Sequence, residues 1–587
     1  MYSDKGFKEQ SMRKHLEMLR TQLESERSSF ISHWRDISEH VATRRSRFTT
    51  SDTNKGDKRN QKIIDSSGVL ALRTLRSGMM SGITSPARPW FKLTLMNKKK
   101  EETGAVKAWL DDVALRMNAI FLRSNLYNVL PILYADMGAF GTGCMYMEKD
   151  ATDVVRFFPF PIGSYCIANN DKLQVDTFHR EFRMTVRQLV DKFGRDPDNY
   201  QKIDWDKFSG AVKSAFENGQ HEQWIDVYHV IMPNMDYQPD SLMSDKKKFV
   251  SIYYEAGTGI NKQTFAEGDN NKVLRKMGYD YFPVLAPRWE INGQDVYGTN
   301  CPAMECLGDI KQLQLGEKRG LQAIEKMVNP PMTAPTTLRN QKASILAGDI
   351  TYYDVKEGQG GFKPVHEINF RIQELEQKQQ QIRQRISRTF YEDLFLMLAS
   401  SDRRNITARE VEERHEEKLL ALGPVLEQLN QDLLDPLIDN TFAEMLEQGL
   451  VPPAPEELQG EDLKVEYVSI MAQAQKLIGI GAVERFTTYV GQVAAAYPQI
   501  VDKVNGDELV DVYSNLVSLP SGIVRSDDEV AEMRAQREQQ IAKQQQTEQM
   551  AQQAAMAKDL SQAKIEDDNG LGALMAQARA GSPVQGI

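Results

Sequence analysis

The sequence predicts an α+β chain that is mainly helical. Three observations carry this reading. Apolar residues recur at three- and four-residue steps through long stretches near both ends, the middle holds a series of alternating strand-like runs, and the composition is globular, with 41% hydrophobic and 26% charged residues. At 587 residues the length allows about three or four ordinary domains. Net charge is −10, from 72 basic and 82 acidic residues, so the chain as a whole is not built to grip nucleic acid by charge. DNA remains possible as a cargo.

The first element is one amphipathic helix over residues 6–45, with Leu16, Leu19, Leu23, Phe30, Trp34, Ile37 and Val41 on its apolar face and Arg44, Arg45 and Arg47 at its close. A polar loop (49–61) leads into a second helix, where Gly and Ser at 67, 68, 77, 78, 81 and 82 allow close backbone approach. Pro86 and Pro89 end it, and Trp90 to Leu95 alternates like a strand. Helical spacing returns over 104–137. Strand-like runs follow: CMYME, VVRFFPF, VDTFHREF, WIDVYHVIM, KFVSIYYE and FPVLAPRWEI, with a short helix MTVRQLVDKFG among them.

Residues 298–329 read as one long helix, broken by Asn329, Pro330 and Pro331. An excursion over 330–370 holds the strand candidate DITYYDV and the turn GQGG. A second long helix over 371–399 carries Ile372, Leu375, Ile382, Ile386, Phe390, Leu394 and Leu398 as a narrow apolar stripe on an otherwise polar surface. So narrow a seam predicts that neighbouring copies share it. After a loop at 400–406, Thr407 and Glu410 form a capping box, with Ile406 and Val411 as its hydrophobic staple, so a helix runs from 407 to 422 and stops at Gly423. Another follows from Pro424 to Gly449 with a kink at Pro436. The segment VPPAPEELQGED is a linker to a helical module reaching about 530. The Gln- and Ala-rich remainder offers few large apolar groups, which predicts helix in part and disorder after Gly570.

No catalytic residue, metal site or cofactor site is predicted. His415 and Glu416 lack the second histidine of a zinc-protease helix, and no Gly-Lys-Ser or Gly-Lys-Thr of a phosphate loop occurs. GAFGTG (138–143) has the wrong spacing for a dinucleotide loop and reads as a tight turn or close packing; SGMMSG (77–82) reads as helix packing. Asp111 and Asp112 point apart on a helix, and His33 and His40 are a chance pair on a long one. Cysteines at 144, 166, 301 and 306 make neither a zinc motif nor a disulfide framework, which fits a reducing compartment. The N-terminus lacks an apolar signal region and no run of 18 apolar residues occurs, so the expectation is a soluble protein made in a cytoplasm, with no membrane partner.

The long first helix, the block SSGVLALRTLRSGMMSGITSPARPWFKL and the block TAREVEERHEEKLLALGPVLEQLNQDLLDPLI resemble the head-to-tail connector (portal) family of short-tailed double-stranded DNA bacteriophages. The resemblance covers roughly residues 5–520 and fades in the tail. It implies a homo-oligomer, a dodecameric ring at one capsid vertex of the virion, made in the host bacterial cytoplasm, with double-stranded DNA passing through its axis during packaging and ejection. The packaging terminase, tail adaptor proteins, and major capsid and scaffolding proteins are the implied partners.

The same resemblance implies an α/β wing over 1–297, a two-helix stem over 298–329 and 371–399, and a small strand-containing clip over 330–370. It further implies a tunnel loop over 400–406, wing helices over 407–449, a helical crown over 450–530, and a tail over 531–587 that is a helical barrel or disordered. The tunnel-loop residues Ser400, Ser401, Asp402, Arg403, Arg404 and Asn405 would face DNA. Lys378, Arg383 and Arg385 are the stem candidates for the channel wall. An acidic balance suits a conduit, because a strongly basic wall would hold DNA rather than pass it. The alternatives are a scaffolding or tail-adaptor protein and a DNA-packaging enzyme, the latter disfavoured by the missing phosphate loop.

Overall fold

The computed structural model describes residues 10–45, 61–95, 104–257, 272–333, 363–364, 371–400, 422–458, 463–468, 483–517 and 524–562, with single residues and pairs omitted within these spans and residues 56, 58 and 262 beside them. Its first helix is Gln10–His40. Leu16, Leu23, Trp34, Ile37 and Val41 are buried as the periodicity requires. A second pattern on this helix escaped that reading. Arg13, Arg20 and Arg27 recur every seven residues, so they lie along one face. Arg13 lies 5.4 Å from the Tyr254 ring centre and Arg20 5.3 Å from that of Tyr228, while Arg27 donates to the carbonyls of Gly163 and Tyr165 at 3.0 and 2.8 Å. The helix is thereby strapped across a sheet.

That sheet has five antiparallel strands in the order β4 (Tyr165–Asn169), β5 (Val175–Thr185), β6 (Trp224–Pro233), β7 (Phe249–Glu255) and β8 (Arg275–Tyr279). β4 and β8 were not foreseen. The run FPVLAPRWEI yields only the two-residue strand β9 (Val284–Leu285), which pairs with β2 (Met145–Asp150) beside β3 (Val154–Pro159). The helix Val186–Phe193 starts on a capping box in which Gln188 and Thr185 bond each other's backbone.

The expected strand at Trp90 is β1 (Phe91–Leu95), and its partner is β12 (Leu463–Tyr467), antiparallel from Phe91 opposite Tyr467 to Leu95 opposite Leu463. A strand therefore stands at the head of the stretch read as a wholly helical module. Beyond it lie helices 483–495, Gly506–Val517 and Asp527–Gln562.

The Ser67–Gly82 helix shows what its small residues are for. A Cβ on Gly78 would stand 2.0 Å from Phe395 Cγ, and one on Gly138 would stand 2.3 Å from Leu75 Cδ2. Three helices, Ser67–Gly82, Leu126–Phe140 and Glu392–Ser400, approach at those two contacts. GAFGTG is packing and turn, as read: Gly141 caps the Leu126–Phe140 helix at φ +76°, and its carbonyl lies against Gly298.

Four expectations need correction. The helix expected over 298–329 is two pieces, Pro302–Glu305 and Leu307–Val328, because Gly298 and its neighbours run as irregular chain against Gly141. The helix expected over 371–399 breaks after Ile372–Thr389 and resumes as Glu392–Ser400; Tyr391 sits at φ +55°, redirecting the chain so that Phe395 reaches Gly78. The apolar stripe is not left for neighbours throughout, since Ile382, Ile386, Phe390 and Leu394 are buried in the chain's own core. Gly423 does not stop a helix: residues 422–429 are helical, and the path continues through a π turn, Asn430–Leu434, into Asp435–Glu447. Pro436 cannot donate to the helical ladder, and the wide turn Asn430–Leu434 lies just before it. The predicted strand DITYYDV, the turn GQGG and the helix 407–421 with His415 lie outside the described residues.

Candidate functional site

The Leu307–Val328 and Ile372–Thr389 helices run antiparallel, since Asp309 meets Arg385, Glu317 meets Arg383, and Gly320 meets Leu375 in turn. Gly316 and Gly320, four residues apart, let the second helix come close: a Cβ on Gly320 would stand 3.1 Å from Leu375 Cδ2. Gln379 is buried at this crossing.

Polar straps fix the lower end of the pair. Gln314, buried, accepts from the backbone N–H groups of Ile64 and Asp65 at 2.6 and 2.8 Å and donates to the Asp65 carbonyl at 2.7 Å. Arg383 donates to Asp65 at 3.0 Å and to Glu317 at 2.5 Å, so one guanidinium joins both helices and the approach to Ser67–Gly82. Burial works against ionisation of Asp65, but its hydrogen bonds from Ser67 and Arg383 outweigh that and hold its pKa below the usual carboxylate value. Lys311 reaches back to Asp36 of the first helix at 2.6 Å.

The far end is different. Leu321, Ile324, Met327 and Val328 are exposed, as is Met332 in β10 (Met332–Thr333), which pairs antiparallel with β11 (Lys363–Pro364). On the second helix the exposed side chains include Gln377, Lys378, Gln380, Gln381 and Gln384. Glutamines make up much of this exposed surface, with Glu374, Glu376, Arg385 and Arg388 also exposed on the same helix.

The structure places the three stem candidates differently from one another. Lys378 is exposed on the Gln-rich surface. Arg385 is largely exposed while donating to Asp309 at 2.8 Å. Arg383 is committed to Asp65 and Glu317. Ser400 is the last residue of the Glu392–Ser400 helix, one position beyond the expected helix end. Ser401, Asp402, Arg403, Arg404 and Asn405 lie outside the described residues. Residue patterns alone missed Gln314, Asp65 and the two glycines; the four-residue Gly316–Gly320 step and the eight-residue Asp309–Glu317 step were the available signals.

Among the described residues no group of three His, Cys, Asp or Glu is placed to hold a metal, and no helix is long and apolar enough to cross a membrane. The four cysteines are buried and free.

The family model described as bacteriophage head to tail connecting protein matches residues 13–524. A curated portal protein of Salmonella phage epsilon15 is 45% identical over 565 residues, covering 96% of this chain and 98% of that protein. A probable portal protein of Bordetella phage BPP-1 is 41% identical over 548 residues, covering 93% of this chain and 94% of the other.

Proposed function

Because the chain belongs to the bacteriophage head-to-tail connecting protein family, and is a phage portal protein, a structural component of the virion, we propose that twelve copies ring a channel for double-stranded DNA. Connection of head to tail implies an oligomeric ring with capsid and tail partners. In the proposed arrangement residues 1–297 and 407–449 are the wing and the Leu307–Val328 and Ile372–Thr389 helices are the stem. Residues 330–370 are the clip that meets the packaging terminase and later the tail adaptor proteins. Residues 400–406 line the tunnel, 450–530 form the crown, and synthesis takes place in the host cytoplasm.

One observation carries the reading: an antiparallel helix pair tied to the body at one end and apolar yet exposed at the other. Leu321, Ile324 and Val328 need a covering surface that the described chain does not supply, and a neighbouring copy in a closed ring supplies one to every subunit alike. The adjoining amide-rich surface suits a wall that DNA must slide along.

Electron microscopy and light scattering on the pure protein test the ring; monomers alone over a broad concentration range would overturn it. The conduit is tested by replacing Arg403 and Arg404 with Ala. The expected result is normal assembly with impaired packaging or genome retention. Normal packaging and retention would remove these arginines from the channel wall.

A further inference from the structure

One face of the five-stranded sheet carries a row of side chains with no part in the conduit. In register, Arg180 of β5 stands opposite His229 of β6, His229 opposite Tyr253 of β7, and Tyr253 opposite Arg275 of β8. Residues paired across neighbouring strands project on the same face. His229 and Tyr253 stack with ring centres 3.8 Å apart and planes 9° apart, so an aromatic pair fills the centre and a guanidinium ends each side. Arg275 lies 4.9 Å from the Tyr253 ring centre and 5.6 Å from that of Phe193. Lys192, from the Val186–Phe193 helix, lies 5.9 and 5.8 Å from the same two rings. Arg180 lies 4.5 Å from Phe160 and 4.4 Å from Phe182. Phe160 and Phe178 belong to the main core, while Tyr253 of the row belongs with Val186, Leu189 and Phe193 to a smaller one.

The charges do not balance. Among the described residues the ion pair of this group is Arg275 with Glu148 at 3.8 Å, each side chain 28% exposed. No carboxylate of the described residues lies within ion-pair distance of Arg180 or Lys192. The Nε atoms of Arg180 and Arg275 and Nδ1 of His229 are buried with no hydrogen-bond partner. Burial lowers the pKa of Lys192, and Arg275 and Arg180 lower it further against the opposing pull of Glu148. Arg180 and Arg275 are half-buried while Lys192 is exposed at the edge of the group, and like charges gathered there are unfavourable until an anion joins them.

The geometry also narrows the anion. The cations already stand over the aromatic rings, so nucleobases find no open ring on which to stack, and recognition falls to guanidinium edges and an ammonium. Those groups fit a tetrahedral oxyanion, whose several oxygens can be shared among separate donors. We propose that Arg180, Lys192 and Arg275 form a phosphate-binding site, occupied by inorganic phosphate or by a phosphate of a nucleic-acid backbone.

The test uses the full-length protein and calorimetric titration at matched chloride and ionic strength, with inorganic phosphate, a short mixed-sequence duplex DNA and poly-glutamate as separate probes. Phosphate should bind the parent, and Lys192→Gln or Arg180→Gln should weaken it about ten-fold or more, as loss of a charge-assisted hydrogen bond requires. Lys192→Arg should retain binding, and circular dichroism should show both Lys192 variants folded. Duplex binding that falls in Lys192→Gln and is displaced by phosphate would identify backbone phosphate as the source. Phosphate binding with duplex indifferent to the substitution would identify free phosphate. If phosphate and duplex both fail to bind the parent, if Lys192→Gln and Arg180→Gln bind like it, or if poly-glutamate binds where phosphate does not, the proposal fails.

Discussion

Arg288 grips Asp432 with Nε and Nη2, at 2.8 and 2.9 Å from its two carboxylate oxygens, and the side chains are only 1% and 7% exposed. The rest of the guanidinium is also used: Nη1 donates to Asn169 Oδ1 at 3.2 Å and Nη2 to the Leu173 carbonyl at 2.8 Å. Asp432 sits in the π turn that precedes Pro436, so this wide turn carries the carboxylate meeting the strand region. Removing one partner of such a pair leaves a buried charge, which costs about 3–5 kcal/mol. Arg288→Met should therefore lower stability by that order in denaturant unfolding, and adding Asp432→Leu should recover part of the loss. A single substitution without measurable effect would show that the pair does not hold these elements together.

Gly78 is expected to tolerate no side chain. Its Cβ position lies 2.0 Å from Phe395 Cγ, and a buried ring between two helices cannot swing clear. Gly78→Ala should destabilise by about 1–3 kcal/mol, the range for overpacking. Gly104→Ala, at a site with nothing within 4 Å, is the control. In a double-mutant cycle, Phe395→Ala should cost less in the Gly78→Ala background than alone.

Elements fixed by nearby residues were legible in the sequence. The first helix, the Ser67–Gly82 helix with its small-residue contacts, and most long strands follow from periodicity and turn chemistry. What escaped depends on distant partners. Phe390 continues the 3.6-residue spacing, so nothing local announces a break there; the break follows from Phe395 meeting Gly78, far away in the chain. β12 reads as a strand only once β1 lies beside it. At the candidate site the apolar stripe was found, but Ile382, Ile386, Phe390 and Leu394 are covered by the chain's own core and not by neighbours, because a stripe gives its width and not what lies against it. Arg383 could be picked from sequence as a cation on a polar helix; its use by Asp65 required the fold.

Acid should weaken the sheet through its buried histidines. Burial, helped by Arg20 and Arg27, holds the His179 pKa down to about 3, and burial with Arg180, Arg275 and Lys192 holds His229 well below its ordinary value. The folded pKa lies below the unfolded one, so the contribution is fully present above about pH 6.5 and is lost as pH falls toward the folded value. Each histidine contributes a slope of about 1.4 kcal/mol per pH unit inside that window. Denaturant midpoints at several pH values should show His179→Phe with a shallower acid slope than the parent. Parallel slopes would mean that His179 takes up its proton in the folded state.

The Asp527–Gln562 helix should contribute little to the stability of the body. Its side chains from 531 to 555 are all exposed, and Arg534 meets Asp507 at 2.7 Å on an exposed surface, where solvent and salt screen such a pair to little net effect. A chain ending at residue 526 should lose helical circular dichroism while keeping its thermal midpoint. A midpoint lowered by several degrees would show that this helix packs on the remainder.

The three stem cations should separate by role. Arg383 joins Asp65 and Glu317, so Arg383→Gln leaves two partly buried carboxylates short of a partner. Its expected effect is a loss of about 1–3 kcal/mol in unfolding experiments, the range for a hydrogen bond involving charge. Lys378 is exposed on the amide-rich surface, and Arg385 is more exposed than Arg383 while paired with Asp309. Lys378→Gln should leave stability within about 0.5 kcal/mol of the parent, as surface substitutions generally do. If that surface lines the channel, Lys378→Gln should change packaging or ejection in a salt-dependent way, because each phosphate neutralised adds to the salt dependence of contact. Arg385→Gln should show both effects weakly. A Lys378→Gln phage that packages and ejects normally at every salt concentration would place this surface away from the DNA, while the structural role of Arg383 would stand on its own measurement.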